Sequence, residues 1–432
     1  MSRAKFLFVS RYGLCGDLAW RVAREGHPVR LHIQDRSERE VMDGFVEKAA
    51  DLAEAEEWAQ VVVFDDNGFA EAADRLRRRG KAVVGPTAYS DRLELDRDFG
   101  QAEMEGAGLT TLPRWDFDSF DAALKFLRET PGRYVVKPNG KAQDEKVLSY
   151  VGREEDGRDV ATVLEHYRRG WGSKIKSFQL QRYALGVEVA VGAFFNGKEF
   201  ATPVCVNFEH KRMFNDEIGP STGEMGTSMF WTEPNRLFRE TLGRLQERLA
   251  SSGYAGYVDV NCIASARAIH PLEVTARFGY PTVNIQMEGV TTPWGEMLEA
   301  LARGESFRLK ARRGFQVGVV LAVPPFPFDD PGAFRKYSED AVVLFDRTPK
   351  EGEAPEGVHP CEVKQADGDW RLTGTSGYAL VVTGSGTTME EARKEAYRRV
   401  RGLHIPNVFY RTDIGRRWTR DGDCLQTWGY LT

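Results

Sequence analysis

The chain has 432 residues, 41% hydrophobic and 28% charged, with a formal net charge of −5. This length exceeds one ordinary core and suits two to four packed domains. The mild charge, without a dense basic run, argues against a dedicated nucleic-acid binder but leaves a nucleic acid open as the carrier of an amine. The five cysteines (Cys15, Cys205, Cys262, Cys361 and Cys424) are scattered and form no CxxC pair, which speaks against a disulfide framework or zinc site and for a reducing cytoplasm.

The opening MSRAKFLFVS holds an apolar run at residues 5–10, too short for a signal core or a membrane span, that predicts a buried strand. A Gly-containing turn (RYGLCGD), a helix (LAWRVAREG) and a second strand (PVRLHI) complete a βαβ opening. Residues 60–64 (QVVVF) and 81–85 (KAVVG) are further strands, separated by a helical stretch that stops at a Gly. Strands alternating with helices predict a doubly wound parallel sheet, whose ligands sit at the carboxyl ends of its strands. From about residue 110 the texture changes. RYVVKPN, SFQLQRY, EVAVGAFFNGKEF and CVNFEHKR suit antiparallel strands, one with an Asn-Gly hairpin signal. Residues 237–252 predict an amphipathic helix, and YVDVNCIA with AIHPLEVTARFG a second strand pair. The last third holds two strands, FQVGVVLAV and YALVVTG, a helix (TMEEARKEAYRRVRGL) and a loop, TPKEGEAPEGVHP. The expected fold class is therefore mixed α/β and α+β, with an α/β domain at 1–108, a central module at 109–310 (a lid at about 110–190) and an α+β domain at 311–432.

Four features carry possible chemistry. Lys137, at the end of RYVVKPN, is placed to meet a nucleotide phosphate or else to leave a strand for solvent. LQRYALGVEV offers an apolar hinge for a flat base, with Glu188 beyond it as an acceptor for ribose hydroxyls or as an ordinary surface residue. Asp259 and Glu273 each interrupt an apolar strand, either solvated or held for magnesium, and Arg277 follows to stabilise phosphate charge. His210, Lys211 and Arg212 precede the Gly-rich GPSTGEMG, an anion site or a charged hairpin tip.

The order of these segments resembles the ATP-grasp core of the phosphoribosylamine–glycine ligase family, with its VVK strand, EEFLxGEE hinge, HKR…GPNTGGMG loop and EFNARFGDP strand. The ending, VVTGSGTTMEEARKEAYRRV…FYRTDIGRRW, is similar to the family's terminus, and the opening keeps its Leu-Ala-Trp. The resemblance implies an ATP-grasp fold and a ligase that uses ATP and Mg2+ to join a small carboxylate, such as an amino acid, to an amine through an acyl phosphate. It implies that Arg97, Lys137 and Lys146 meet the nucleotide, that Gln181, Arg182, Tyr183 and Ala184 line the adenine, and that Glu188 holds the ribose. Arg277, Lys211 and Arg212 would act on the reacting groups. His210, Gly219, Ser221, Thr222 and Gly223, with Asp65 and Asp66, would face the substrates. Glu273 and Thr275 would hold magnesium with Asp259, which matches a ligand position of other ATP-grasp enzymes such as D-alanine–D-alanine ligase. A soluble monomer or homodimer without a membrane segment is expected.

The chain also departs from that pattern. The phosphate loop GLAAGKGV is here GKAQDEKV, which leaves Lys141 and Lys146 in place of glycine amides; Thr275 replaces an Asn; GREH has become GLCG; and GPE has become FDDN at residues 64–67. The last two changes lie where phosphoribosylamine is expected, and two aspartates facing a phosphate would repel it. These departures predict a ligase for a different amine. The alternatives are an authentic phosphoribosylamine–glycine ligase and a catalytically weak nucleotide-binding protein; the other reading of the two aspartates is that they point to solvent and cap the helix after them.

Overall fold

The computed structural model describes residues 3–139, 148–328, 330–347, 353 and 355–432. The first unit is a five-stranded parallel sheet in the order Glu47–Lys48, Val29–Ile33, Phe6–Ser10, Val61–Phe64, Ala82–Val84. Phe6–Ser10 and Val61–Phe64 are buried at every position, because helices and neighbouring units cover both faces. The strand order reverses between these two, so the turns leaving them, at residues 11–15 and 65–68, open a crevice at the topological switch point.

A small antiparallel sheet follows, in the order Arg114–Phe117, Phe178–Arg182, Tyr134–Pro138, Tyr150–Val151. Its own core, built on Tyr134, Val136, Phe178 and Leu180, packs under the helices Phe120–Glu129 and Arg158–Gly170. The main body is an eight-stranded sheet. Ile269–Thr275, Ala255–Ala264, Val187–Asn196, Val204–Glu209 and Gly226–Thr232 come first, and Phe315–Ala322, Tyr378–Gly386 and Val358–Pro360 continue it. The last third of the chain thus extends the central sheet directly. The helix Met389–Arg401 lies on that extension, started by a capping box between Thr388 and Glu391.

Residues 237–252 do not form one helix. Arg236–Glu240 and Gln246–Ser252 are separated by a 3-10 turn at Leu242–Leu245. At Thr241 the backbone leaves helical space (φ −126°, ψ −97°), and its hydroxyl donates to the Leu237 carbonyl. The apolar spacing still works, since Leu237, Leu242, Leu245 and Leu249 are all fully buried. Among the described residues no helix is long and apolar enough to cross a membrane.

Two contacts tie the first unit to the last. The Asp17 carboxylate accepts from Asn284 Nδ2 at 2.9 Å and meets His359 Nδ1 at 2.8 Å. Trp20, Phe45 and Trp370 form an edge-to-face cluster with centroids 4.9 to 6.1 Å apart. Trp370 is buried, so Trp370→Ala should destabilise the protein by about 3 to 5 kcal/mol. A urea midpoint unchanged from the parent would show that this cluster does not hold the two ends together.

Candidate functional site

Residues opposed across antiparallel strands share a face. Glu188 lies opposite Ile263, Gly192 opposite Asp259, Asn261 opposite Glu273, and Asp259 opposite Thr275. One face of these strands therefore gathers Glu188, Asp259, Asn261, Glu273 and Thr275, while Val189, Val191, Val258, Val260 and Val274 fill the core on the other. At the centre of the polar face stands the Lys211 ammonium, 3.1 Å from Glu188, 3.2 Å from Glu209 and 3.7 Å from Glu273. These carboxylates hold Lys211 charged against the cost of its burial.

Lys137 reaches this cluster from the small sheet, and Arg97 from the first turn of the helix Arg97–Gly106. Desolvation and then repulsion from Arg97 lower Lys137 to about 8, with Glu273 opposing both. The Arg97 Nε is buried with no partner among the described residues. Cations gathered in this way, one of them destabilised, form a site for an anion such as a polyphosphate. Arg277 stands at the other end. Its Nε is 3.0 Å from Glu94 and 3.2 Å from Asp66, and Glu94 also accepts from the Ala276 N–H. A cleft of about 480 Å³ runs from Arg97 past Glu273 and Thr275 to Arg277 and Asp66.

The structure redistributes several expected roles. Asp259 and Glu273 share a face but not a rung; the residue opposite Glu273 is Asn261, which sequence reasoning missed. Asn261 Nδ2 donates to Glu209 at 3.1 Å, and its Oδ1 is buried without a partner among the described residues. Among those residues no group of three or more His, Cys, Asp or Glu forms a metal cage. Magnesium, however, usually takes one or two carboxylates and completes its shell with phosphate and water. Glu273, the orphaned Asn261 oxygen and Glu209 fit that chemistry, and Thr275 lies one rung away. The period of two could have revealed Asn261, two residues past Asp259. Glu209, directly before His210, carried no separate signal.

His210 is enclosed by its own hairpin and the last third of the chain. It is 2% exposed; the Gly415 N–H donates to its Nε2, and its Nδ1 lies 3.1 Å from Glu217. That pattern places the proton on Nδ1, and burial lowers the pKa, so the ring is neutral. Arg411, in the FYRTDIG segment, bonds to Glu217, Asp413 and the Arg212 carbonyl. The Arg212 side chain itself closes its own hairpin, donating to the Gly219 carbonyl and pairing in register with Ser221. Thr222 is bound to the Lys211 carbonyl through both its N–H and its hydroxyl, and so fixes the backbone that carries Lys211.

In the hinge, Gln181 is buried, with Nε2 unpartnered among the described residues. The Arg182 side chain turns away onto Tyr134, and Tyr183 stacks under Arg133; Ala184 continues the hinge. Side chains 182 and 183 therefore pack on the small antiparallel sheet. Glu188 is drawn to Lys211 and Arg417 rather than standing free.

Asp65 and Asp66 neither cap a helix nor line the crevice as two bare charges. Asp65 is enclosed and accepts from Ser10, the Cys15 N–H and the Tyr280 hydroxyl. Burial, then Asp66, raises it to about 6. Asp66 is paired with Arg277. The cap of Ala70–Arg78 comes instead from Asp91, which accepts from Gly68 N and Ala70 N. Lys141 and Lys146 lie outside the described residues.

Residues 96–282 match the family model of the phosphoribosylglycinamide synthetase ATP-grasp (A) domain, and residues 316–417 that of the phosphoribosylglycinamide synthetase C domain. The chain is 27% identical to a phosphoribosylamine–glycine ligase of Corynebacterium ammoniagenes over 363 residues, which is 80% of this chain and 79% of that protein. It is 27% identical to the one of Caulobacter vibrioides over 433 residues, 95% and 94% of the two chains. Among solved structures, phosphoribosylamine–glycine ligase from Thermotoga maritima superposes with a TM-score of 0.71 at 20% identity, covering 95% of this chain and 100% of that one. A biotin carboxylase from Campylobacter jejuni gives 0.62 at 12% identity, covering 99% and 97%.

A phosphate bound at Lys137 would favour its cation and raise its pKa from about 8. ATP binding should then take up about three-quarters of a proton at about pH 8.5 and almost none at about pH 6.5, where Lys137 is already charged. Calorimetry in buffers of different ionisation enthalpy measures this. Equal uptake by the parent and Lys137→Met at the higher pH would remove Lys137 from the phosphate site.

Proposed function

As the chain is an ADP-forming ATP-grasp carbon–nitrogen ligase, we propose that it activates the carboxylate of glycine or another amino acid as an acyl phosphate and passes it to an amine. One observation carries this reading. Lys137, Arg97 and Lys211 converge with Glu273, Asn261 and Glu209 on the same polar face. The cations receive the polyphosphate, and Lys211, already fixed by Thr222, is positioned to follow the charge as the terminal phosphoryl group moves. Magnesium, held by Glu273 with Asn261 and Glu209, would supply Lewis-acid neutralisation of the phosphate oxygens. Arg277, kept rigid by Glu94 and Asp66, orients the carboxylate for in-line attack. The carboxylate oxygen then bonds to the terminal phosphorus and ADP leaves. The amine lone pair next attacks the acyl carbon, the C–O bond to phosphate breaks, and inorganic phosphate departs with a proton from the nitrogen.

The relatives are named for phosphoribosylamine and glycine, and near full-length alignment with the Caulobacter vibrioides protein supports that pair of substrates more directly than any other. Against it stands the altered first turn, Gly13 to Gly16, which lacks the Arg and His of GREH. Asp65 and Asp66 no longer count against a phosphate, since one is enclosed and the other neutralised.

The acyl phosphate is testable without knowing the amine. With ATP, magnesium, glycine and hydroxylamine, the protein should form glycine hydroxamate, and heavy oxygen in the glycine carboxylate should appear in inorganic phosphate. Glu273→Gln should lower this rate by on the order of 100-fold or more. Hydroxamate formed without transfer of the label would exclude activation by phosphorylation.

A further inference from the structure

One cavity takes no part in the phosphate chemistry described above. It encloses about 330 Å³, within the range of small-ligand sites. All three thirds of the chain wall it: Tyr12 from the first turn, Tyr280 from the centre, and Phe326 and Tyr378 from the last third. The amine pocket of a ligase must open onto the activated carbonyl. Glu224 makes that connection, since it lines the cavity while its carboxyl interacts electrostatically with Glu209, Lys211 and Asp259. Glu224 also stands where the resembling GPNTGGMG loop has a Gly, so it places a carboxyl where that loop has no side chain.

The chemistry of the walls selects an occupant. Among the described lining residues none is Lys, Arg or His. Glu224 accepts from the Thr227 hydroxyl and has no salt bridge among the described residues. Two further carboxyls sit in the floor. Glu38 accepts from Thr375, and Glu362 from Ser376 and the Gly377 N–H. Arg11, the nearest cation of the first turn, is turned away over Phe69 and donates to the Asn67 carbonyl. Burial and Glu209 hold the Glu224 carboxyl well above its ordinary range, so a phosphate monoester would meet a carboxyl with no charge to offer and walls with no cation to pair its own charges. An ammonium beside Glu224 would supply the counter-charge that favours the ionised carboxylate, and it gains from the ring faces as well. A second observation points to a ligand. Tyr378 is 8% exposed, yet its hydroxyl has no hydrogen-bond partner among the described residues, and it lines the cavity. A buried phenol without a partner costs free energy that an occupant's polar group removes.

Resting on the ligase reading above, we propose that this cavity is the amine site and that it takes a cationic amine with an apolar or aromatic body and no phosphate group. Glu224 receives the ammonium at the mouth that faces the acyl phosphate, the rings of Tyr12, Tyr280 and Phe326 hold the body, and the Tyr378 hydroxyl meets a polar group on it.

The test uses the full chain with ATP, magnesium and glycine. It compares amide formation, by mass spectrometry, for tyramine against tyramine O-phosphate, for ethanolamine against O-phosphoethanolamine, and for phosphoribosylamine generated in place. Tyramine should exceed its phosphate ester in kcat/KM by about tenfold or more, and exceed ethanolamine too. Tyr378→Phe should raise the KM for tyramine. Glu224→Lys should invert the preference between each amine and its phosphate ester, and Glu224→Gln should abolish it. Being ratios, these readouts survive partial loss of folded protein. A phosphate ester used as well as its parent amine, robust glycinamide ribonucleotide formation, or a ratio unmoved by both Glu224 variants would overturn the proposal. Hydroxamate formation separately scores the ligase reading. If it fails, calorimetric binding of tyramine and its phosphate ester to the protein with a non-hydrolysable ATP analogue still decides the cavity, and no binding of tyramine there counts against it.

Discussion

The Lys211 ammonium, held among Glu188, Glu209 and Glu273, is the interaction on which the site depends. These carboxylates come from three strands of the central sheet, Glu188 and Glu209 from neighbours and Glu273 from the edge strand, and without a cation among them their mutual repulsion on one face would be costly. The same arrangement leaves negative charge in excess around Asp259, Glu209 and Glu224, where mutual repulsion adds to desolvation in holding the Asp259 and Glu224 carboxyls well above their ordinary range. Lys137 shows the opposite strain on the lid side, where burial and Arg97 destabilise its charge. A polyphosphate with a divalent cation supplies both missing charges at once.

Positioning this cluster takes the whole chain. The last third braces the Lys211 loop from behind, through Arg411 to Glu217 and through the Gly415 N–H to His210. The first third braces Arg277 from the other side, through Glu94 and Asp66. Asp65, buried beneath the first turn, bonds to Ser10, the Cys15 N–H and Tyr280, and so locks that turn against the central module. The crevice at the switch point is therefore rigid on the side of the nucleotide and the carboxylate. The groups that distinguish one amine from another lie on the far wall, which the last third supplies in part. Relatives that share the phosphate machinery can then differ in amine without disturbing it.

Period-two alternation and βαβ order were legible in the chain and sufficed for the parallel sheet, several strands of the middle of the chain, and the placing of Asp259 and Glu273 on adjacent strands. The capping box at Thr388 and the spacing of the helix Met389–Arg401 were equally local. Lys137 stood out at the end of an apolar strand, Lys211 within a run of three basic or titratable residues, and Arg277 through its spacing from Glu273. What the sequence left open depends on pairings between distant segments. Register across the sheet decides that Asn261, not Asp259, opposes Glu273. A bond spanning about half the chain makes His210 a buried brace. The carboxylate of Asp65 is the plainest case: the same residue is a cleft charge, a helix cap or a buried acceptor according to whether Tyr280 and the Cys15 N–H close over it. Local periodicity determines which way a side chain points from its own strand, but only the tertiary structure determines what it meets there.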